Sequence, residues 1–280
     1  MRIGTTARGR ADTLLAGVLN VTPDSFSDGG RFVTPEAAVS AALKMVEEGA
    51  HWIDVGGEST RPGAPMVSPA EERARVLPVI ELLVPALAGR AWVSIDTYKA
   101  ETAEAALQAG ARVVNDVSGG LMDPEILRVA ARHEAPIVLG HLRGTPQSMM
   151  EAVAFDDVVS EVQHELVERV AAARAAGCAR LFIDPGIGFG KRLAENLALM
   201  RGLQGLRKAL GLPMMLGLSR KRFLGELTGR NVNERGMGTA AALAWAVAQG
   251  VECLRVHDVA AAKDVVAVSE ALLQPHRGPD

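Results

Sequence analysis

Polar and charged residues that could bind a ligand or take part in catalysis lie at the ends of a series of short apolar runs in this chain. Acidic and amide side chains end four of these runs, at Asn20, Asp96, Asn115 and Asp184. Cationic side chains end two others, in the segments SRKR (219–222) and RVHD (255–258). A buried carboxylate can accept hydrogen bonds from adjacent N–H groups of an aminopyrimidine-like ring, and an amide can both donate and accept. The pattern therefore predicts a site for a donor-rich heterocycle with a phosphorylated group beside it, near the cations.

The segment GIGFGK (186–191) follows Asp184 and resembles a phosphate-binding loop, but it has neither the GxxxxGK[ST] nor the GxGxxG spacing. We interpret its glycines as permitting a tight turn and the close approach of a ligand. Phe189 is compatible with two positions, one against a flat substrate and one packed into the rim of the fold, and the sequence leaves both open.

Each of these residues also has a structural explanation. Asp96 or Asp184 could cap the helix that follows it, Asn20 could stabilise its own turn, and Arg255 could pair with Asp258. Polar or charged residues nevertheless follow seven or eight of the apolar runs, always at the same end. This recurrence favours a ligand site.

The elements that must position these residues alternate regularly along the chain. Eight apolar runs are separated by amphipathic segments, the first of which has Thr34 as a predicted N-cap, Pro35 in its first turn and Gly49 near its end. Short, continuously apolar strands are typical of a parallel sheet covered on both faces. The runs cover residues 14–20, 51–57, 92–96, 112–117, 135–141, 180–185, 213–219 and 253–258.

This alternation predicts an α/β fold of the (β/α)8 TIM-barrel type, forming one domain over residues 1–280. We expect residues 1–13 to be an N-terminal extension that covers the bottom of the barrel. The alternative is a doubly wound open sheet, which would need a glycine-rich dinucleotide loop after an early strand, and the sequence has none.

Composition excludes several classes of function. The formal net charge of −3 supplies neither a basic stripe for nucleic acid nor a polybasic patch for a membrane surface. We expect no signal peptide, because the first residues lack an apolar h-region before a small-residue cleavage site, and no apolar run approaches the ~20 residues of a membrane span. Cys178 and Cys253 lie outside any CxxC pattern, so we expect two buried apolar side chains and a cytoplasmic location. The six histidines lack metal-ligand spacing.

Seven segments, in this order along the chain, resemble the dihydropteroate synthase family, the folate-pathway enzymes targeted by sulfonamides. They are GVLNVTPDSFSDGG (17–30), DVGGESTRPGA (54–64), SIDT (94–97), VNDVSGG (114–120), DPGIGFGK (184–191), SRKRFLG (219–225) and RVHDV (255–259). The likeness covers roughly residues 14–270. It implies a (β/α)8 barrel that is usually dimeric, needs Mg²⁺, and joins 6-hydroxymethyl-7,8-dihydropterin diphosphate to 4-aminobenzoate with release of diphosphate.

The resemblance also implies roles for individual residues. Those assigned to the pterin are Asp96, Asn115, Asp184, Phe189 and Lys221. Those assigned to the diphosphate are Asn20, Thr60, Arg61, Arg255 and His257. Asn20 would also ligate Mg²⁺ through its side-chain oxygen. Those assigned to 4-aminobenzoate are Phe26, Pro62, Phe189, Ser219 and Arg222.

The family's loops after the first two strands are mobile and close over the substrates. The resemblance therefore implies that Asp24, Phe26, Ser27, Asp28, Arg61 and Pro62 complete the site on binding. The residues to which it implies a catalytic role are Asp28, Asp96, Asp184, Lys221, Arg255 and His257.

Two positions depart from the family's pattern. LGHL (139–142) stands where many relatives have LMHM, which indicates a change in one wall of the pterin pocket at Gly140 and Leu142. Arg222 stands where many relatives have Ser, and its guanidinium could pair with the aminobenzoate carboxylate or point to solvent.

Two other functions are compatible with a pterin-binding barrel. A methyltetrahydrofolate-binding methyltransferase domain shares the barrel and part of the pterin site, but it would not need the SRK and RVHD segments. A pterin-binding paralogue without catalytic activity would be expected to lose its loops first, and in this chain those loops are complete in sequence.

Overall fold

The computed structural model describes residues 13–22, 34–61, 63–151 and 154–273, and eight parallel strands run through these ranges. The strands lie side by side in the order β6-β5-β4-β3-β2-β1-β8-β7, and a parallel bridge between Ile183 and Met214 joins the two outer strands. The strands are β1 (Leu14–Asn20), β2 (Trp52–Gly56), β3 (Trp92–Asp96), β4 (Val113–Asp116), β5 (Ile137–Gly140), β6 (Leu181–Asp184), β7 (Met215–Gly217) and β8 (Cys253–Val256).

Helices follow the strands and pack around the outside of the sheet. They are α1 (Pro35–Glu48), α2 (Pro69–Leu87), α3 (Ala100–Gln108), α4 (Glu125–Arg132), α5 (Val158–Ala175), α6 (Leu193–Leu210), α7 (Arg222–Thr228), α8 (Gly236–Ala248) and α9 (Val259–Leu272). The predicted (β/α)8 barrel is therefore confirmed. Each predicted strand overlaps an observed one, with ends that differ by at most two residues. The extension at residues 1–13 falls almost entirely outside the described ranges, so its place at the barrel bottom stays a prediction. The assignment of residues 1–280 to one domain also stays a prediction.

Local sequence explains where the first helix begins and ends. The Thr34 side chain accepts a hydrogen bond from the backbone N–H of Ala37 at 3.3 Å, and Pro35 occupies the first helical position. Gly49 ends the helix with a φ of +116°, which a residue with a side chain rarely adopts. The predicted caps of this helix are confirmed.

The inside of the barrel changes from apolar to polar along its axis. Near the amino-terminal ends of the strands, Trp52 and Phe182 pack edge to face with ring centroids 5.4 Å apart, together with Val113, Val138, Met215 and Cys253. Because alternate residues of a strand point inward, the next inward residue of β2 is Asp54, and its register partner on β3 is Ser94. The carboxyl-terminal end, which we call the barrel mouth, is therefore polar. Both cysteines are buried, as expected.

Gly140, one of the two departures from the family's pattern, lies where the chain leaves no room for a side chain. A Cβ atom at this position would lie 2.5 Å from the carbonyl oxygen of Val117 and 2.7 Å from that of Asp116. The wall of the barrel mouth here is therefore the backbone of the segment after β4, while Leu142 is fully buried beside it.

We predict that Gly140→Ala lowers the free energy of unfolding by about 1–3 kcal/mol, because the added methyl group overlaps backbone that cannot move away cheaply. Urea denaturation measures the change. The matched control is Gly205→Ala in α6, where an added Cβ meets nothing within 4 Å and should be neutral or stabilise by about 0.5–1 kcal/mol. Equal stabilities for the two variants would contradict the steric argument.

Candidate active site

A buried carboxylate, Asp54, holds the polar part of the barrel interior together. Its side chain, 1% exposed, accepts hydrogen bonds from three directions. Arg255 Nε donates to Asp54 Oδ2 at 2.5 Å, Asn115 Nδ2 donates to the same oxygen at 3.0 Å, and Ser94 Oγ donates to Oδ1 at 2.6 Å. Hydrogen bonds from β3, β4 and β8 therefore converge on one residue of β2.

Arg255 lies between two carboxylates. Its Nη2 donates to Asp96 Oδ2 at 2.5 Å while its Nε bonds Asp54. The two carboxylates raise the pKa of Arg255 against the opposing effect of burial, so it stays a cation. Burial raises the pKa of Asp96 to about 7, against the attraction of Arg255.

A second carboxylate–cation arrangement lies on the neighbouring strands. Burial raises the pKa of Asp184 at the end of β6. Two effects oppose this rise: the Gly186 N–H donates a hydrogen bond to Asp184 Oδ1 at 2.8 Å, and Lys221 carries a positive charge. Burial lowers the pKa of Lys221 to about 8 in spite of Asp184. The Lys221 ammonium lies 3.9 Å from the centroid of the Phe189 ring. Phe189 is half-buried, and its ring contacts this cation.

Positive charge gathers around His257, just after β8. Burial, and after it the charges of four neighbouring cations, lowers the pKa of His257 to about 4, so its ring is neutral near pH 7. Ser219 Oγ accepts the backbone N–H of His257 at 3.4 Å and lies 3.0 Å from Nδ1. The hydroxyl hydrogen is then available to Nδ1, which leaves Nε2 as an N–H donor. The four cations are Arg255, Arg220, Arg61 and Lys221.

Asn20 and Asp96 approach the same point above Gly56. A Cβ atom on Gly56 would lie 3.5 Å from Asp96 Oδ2 and 3.7 Å from Asn20 Oδ1, so the glycine keeps the space between these oxygens open. The register explains this placement, because Asn20 pairs with Gly56 and Gly56 pairs with Asp96 across the sheet.

The loop after β2 carries Thr60 and Arg61 and is fixed at its base by buried charges. Glu58 and Glu72 both form ion pairs with Lys99, and all three side chains are at most 8% exposed. Glu58 Oε1 also accepts from the Tyr98 hydroxyl at 3.0 Å and from the Val67 backbone N–H at 3.4 Å. The Glu58 carboxylate therefore connects the two ends of the segment 58–67.

Several residues assigned by sequence lie elsewhere or cannot be located. Arg222 is exposed and donates to Glu226 Oε1 at 2.8 Å along α7, so it points to solvent rather than into the mouth. Asp24, Phe26, Ser27, Asp28 and Pro62 lie outside the described residues, and their roles stay predictions.

For three site residues, the structural explanations raised above do not hold. No side-chain capping bond starts α3 or α6, so neither Asp96 nor Asp184 caps the following helix. Asp258 caps α9 by accepting the Ala261 N–H at 3.0 Å, and Arg255 pairs with other carboxylates instead.

Sequence reasoning assigned no individual role to two charged residues, Asp54 and Arg220. Asp54 stands in the middle of the strand run HWIDVGG. A carboxylate inside an apolar strand needs a buried partner, and this feature of the sequence could have identified Asp54 as part of a buried polar site. Arg220 contributes to the cationic cluster, but its local sequence SRKR does not distinguish it from Arg222.

The eight-stranded barrel and the charged groups at its mouth define the chain as a (β/α)8-barrel protein with an active-site-like arrangement where such barrels carry their active sites. Comparison with known proteins gives the family. A model of the family described as "Pterin binding enzyme" matches residues 16–257.

Similar proteins agree with this match. A dihydropteroate synthase from Synechocystis sp. is 46% identical over 263 residues, which are 93% of this chain and 90% of that protein. A Xanthomonas albilineans dihydropteroate synthase structure with 4-aminobenzoic acid has a TM-score of 0.87 and 48% identity, covering 94% of both chains. A structure of the enzyme from the same organism in complex with 7,8-dihydropteroate has a TM-score of 0.84 and 45% identity, covering 94% of this chain and 95% of that one.

The chain therefore belongs to the pterin-binding enzymes and, within them, to the dihydropteroate synthases, a family of transferases.

We predict that Asp54→Asn lowers the free energy of unfolding by about 3–5 kcal/mol, because Arg255 would lose one of its two buried anionic partners. Chemical denaturation measures the loss. The control Glu226→Gln removes the anion of the exposed Arg222 ion pair and should change stability by less than about 1 kcal/mol. Similar small effects of both changes would contradict the role assigned to Asp54.

Proposed function

We propose that this chain condenses 6-hydroxymethyl-7,8-dihydropterin diphosphate with 4-aminobenzoate to form 7,8-dihydropteroate and diphosphate in folate biosynthesis. The observation that carries the proposal is the meeting of carboxylates and cations from separate strands at one barrel mouth. Asp96 and Asp184 lie there with Arg255 and Lys221, beside the cationic surroundings of His257. The charges match a substrate that joins an N–H-rich ring to an anionic leaving group.

The pterin ring would lie among Asp96, Asn115, Asp184, Lys221 and Phe189. Carboxylate oxygens accept the ring's amino and N–H hydrogens, and the amide of Asn115 can donate as well as accept. The half-buried Phe189 offers an aromatic face for the flat ring, next to the ammonium of Lys221.

In the reaction, the bond between the pterin CH₂ and the diphosphate oxygen breaks, and its electron pair leaves with the diphosphate. The resulting positive charge is delocalised over the pterin ring, where the carboxylates of Asp96 and Asp184 favour it. Arg255 and the Nε2–H of His257 donate to the departing anion. The amine lone pair of 4-aminobenzoate then forms the new C–N bond, and one amine proton is released.

The family implies Mg²⁺, and the residues present fit it. Among the described residues, no group of three or more His, Cys, Asp or Glu side chains could hold a metal ion. Mg²⁺ commonly takes only one or two protein oxygens and completes its shell with water and substrate phosphate. Asn20 Oδ1, facing the open space over Gly56, is such a donor. When bound, Mg²⁺ would neutralise charge on the diphosphate, and Asn20 would orient it.

Assembly and location are further parts of the proposal. Within the described ranges, none of the helices combines the length and apolar character that crossing a bilayer requires. We expect the chain to act in the cytoplasm. Helix α8 has no charged residue along its 13 positions, and its outward side exposes Met237, 84% exposed, and Trp245, 44% exposed. A helix that is apolar on all sides is normally covered, which supports a homodimer through this face.

If the chain forms a homodimer, light scattering should give a mass of about twice 29.5 kDa. Met237→Glu should shift the protein towards the monomer, because it places a charge in the shared apolar face. The control Leu121→Glu makes the same kind of change at an exposed apolar residue of the β4–α4 segment and should leave the mass unchanged. A monomeric wild-type chain would contradict the dimer.

If the chain has the proposed activity, diphosphate release should depend on both 4-aminobenzoate and Mg²⁺. Asp184→Asn should lower kcat/KM at least tenfold, or about 1.4 kcal/mol, because the ring cation loses a facing carboxylate. We expect a similar loss for Asp96→Asn. Asp264→Asn, the same substitution on the exposed side of α9, is the control and should leave the rate unchanged.

Wild-type protein that binds pterin but releases no diphosphate would reject the enzymatic proposal and favour a binding protein. Normal kinetics in Asp184→Asn would leave the reaction in place but remove the role given to that carboxylate.

A further inference from the structure

Lys191, at the end of the segment GIGFGK, is a buried lysine to which neither the fold nor the reaction gives a role. Its side chain is almost inaccessible, with 3% of the residue exposed. No carboxylate forms an ion pair with it among the described residues, which is uncommon for a buried lysine. Its ammonium nitrogen instead lies 3.0 Å from each of three acceptors: the carbonyl oxygens of Gly186 and Phe189, and Nδ1 of His141. In its protonated form the amine has three hydrogens, so all of its donors are used, although burial lowers the pKa of Lys191 to about 7.

Two of these three acceptors belong to one tight turn. The Phe189 N–H donates to the Gly186 carbonyl at 3.0 Å, and Gly186 and Gly188 have φ angles of +69° and +82°. This turn directly follows Asp184, whose carboxylate accepts the Gly186 N–H. Lys191 therefore contacts the backbone that connects the Asp184 carboxylate to the Phe189 ring, which are two groups of the candidate site.

The geometry around Gly186 shows how closely the turn is fitted. A Cβ atom there would lie 1.9 Å from the His141 carbonyl oxygen and 3.1 Å from Lys191 Nζ. The turn is also held from α6, since Asn196 Oδ1 accepts the Gly188 N–H at 2.7 Å and Nδ2 donates to the Lys191 carbonyl at 3.0 Å.

His141 extends the contact to the outer helices. With Lys191 donating to Nδ1, the imidazole hydrogen is on Nε2, which lies 3.0 Å from Glu165 Oε2. Burial lowers the pKa of His141 to about 4, in agreement with a neutral ring that accepts at Nδ1. Arg143 Nε in turn donates to Glu165 Oε1 at 2.8 Å. The turn is therefore linked through two side chains to α5.

We propose that Lys191 is a positioning residue, which fixes the turn 186–189 so that the Asp184 carboxylate and the Phe189 ring face the substrates. It does not contact the substrates itself, since each of its three hydrogens already has a protein acceptor. The inference rests on the proposed function, because it takes Asp184 and Phe189 as substrate-binding groups. An apolar side chain of the same length would fill the cavity but leave the Phe189 carbonyl and His141 Nδ1 without this donor.

The test compares Lys191→Met with Lys208→Met, the same substitution at an exposed position of α6. We expect Lys191→Met to raise KM for the pterin diphosphate at least tenfold and to speed backbone amide exchange across residues 184–191 at least tenfold. Lys208→Met should resemble the wild type in both measurements. Lys191→Gln, which keeps two donors on a shorter side chain, should be intermediate, and it replaces Lys191→Met if that variant does not fold.

Three results would overturn the proposal. A lower melting temperature with unchanged KM and kcat in the folded variant would make Lys191 purely structural. A lower kcat with unchanged KM and unchanged amide exchange would mean that it acts on the reaction directly. Unchanged amide exchange with a raised KM would mean that it contacts the substrate. If the wild type makes no dihydropteroate, the proposed function fails, whereas amide exchange still decides whether Lys191 fixes the turn.

Discussion

The pairing of Arg255 with two carboxylates inside the barrel is the interaction on which the rest of the site depends. A guanidinium and two carboxylates removed from water are costly unless each is paired and hydrogen-bonded. Asp54 supplies one partner and also accepts from Asn115 and Ser94, so four strands meet through its two oxygens. This arrangement fixes the direction of Arg255 before any substrate arrives, which is what the proposed stabilisation of a leaving anion requires.

The polarity of the barrel interior follows from the alternation of residues along each strand. The inward residues of β2 are Trp52, then Asp54, then Gly56, from the apolar bottom to the open mouth. Charged groups are therefore confined to one end, where the connecting loops can also contribute. The lower end is packed with Phe182 and other apolar side chains, so the structure can bury charge at the mouth without losing its core.

Much of the fold and part of the site could be predicted from sequence, for identifiable reasons. Continuous apolar runs locate the strands because both faces of a parallel sheet are buried, and the residues at their carboxyl ends must share one mouth. That reasoning placed Asp96, Asp184 and Lys221 together. The role of Asp54 could not be derived, because its partner Arg255 is about 200 positions away and only barrel closure brings them together.

Side-chain direction was the other limit of the sequence. Arg222 and Lys221 are adjacent in the chain, yet one pairs with Glu226 on the surface and the other lies over Phe189 in the mouth. Lys191 is similar, since its three acceptors are two backbone carbonyls and a histidine that composition cannot indicate. Each of these side-chain contacts depends on the path of the backbone, which cannot be derived from the spacing of residues in the sequence.

The most direct test of the account is a double-mutant cycle between Asp54→Asn and Arg255→Met, read out as the dissociation constant of the pterin diphosphate. If Asp54 orients Arg255 towards the leaving group, the two losses should be coupled by about 1 kcal/mol or more. Losses that add to within about 0.3 kcal/mol would show that the two residues act independently, and would contradict the account.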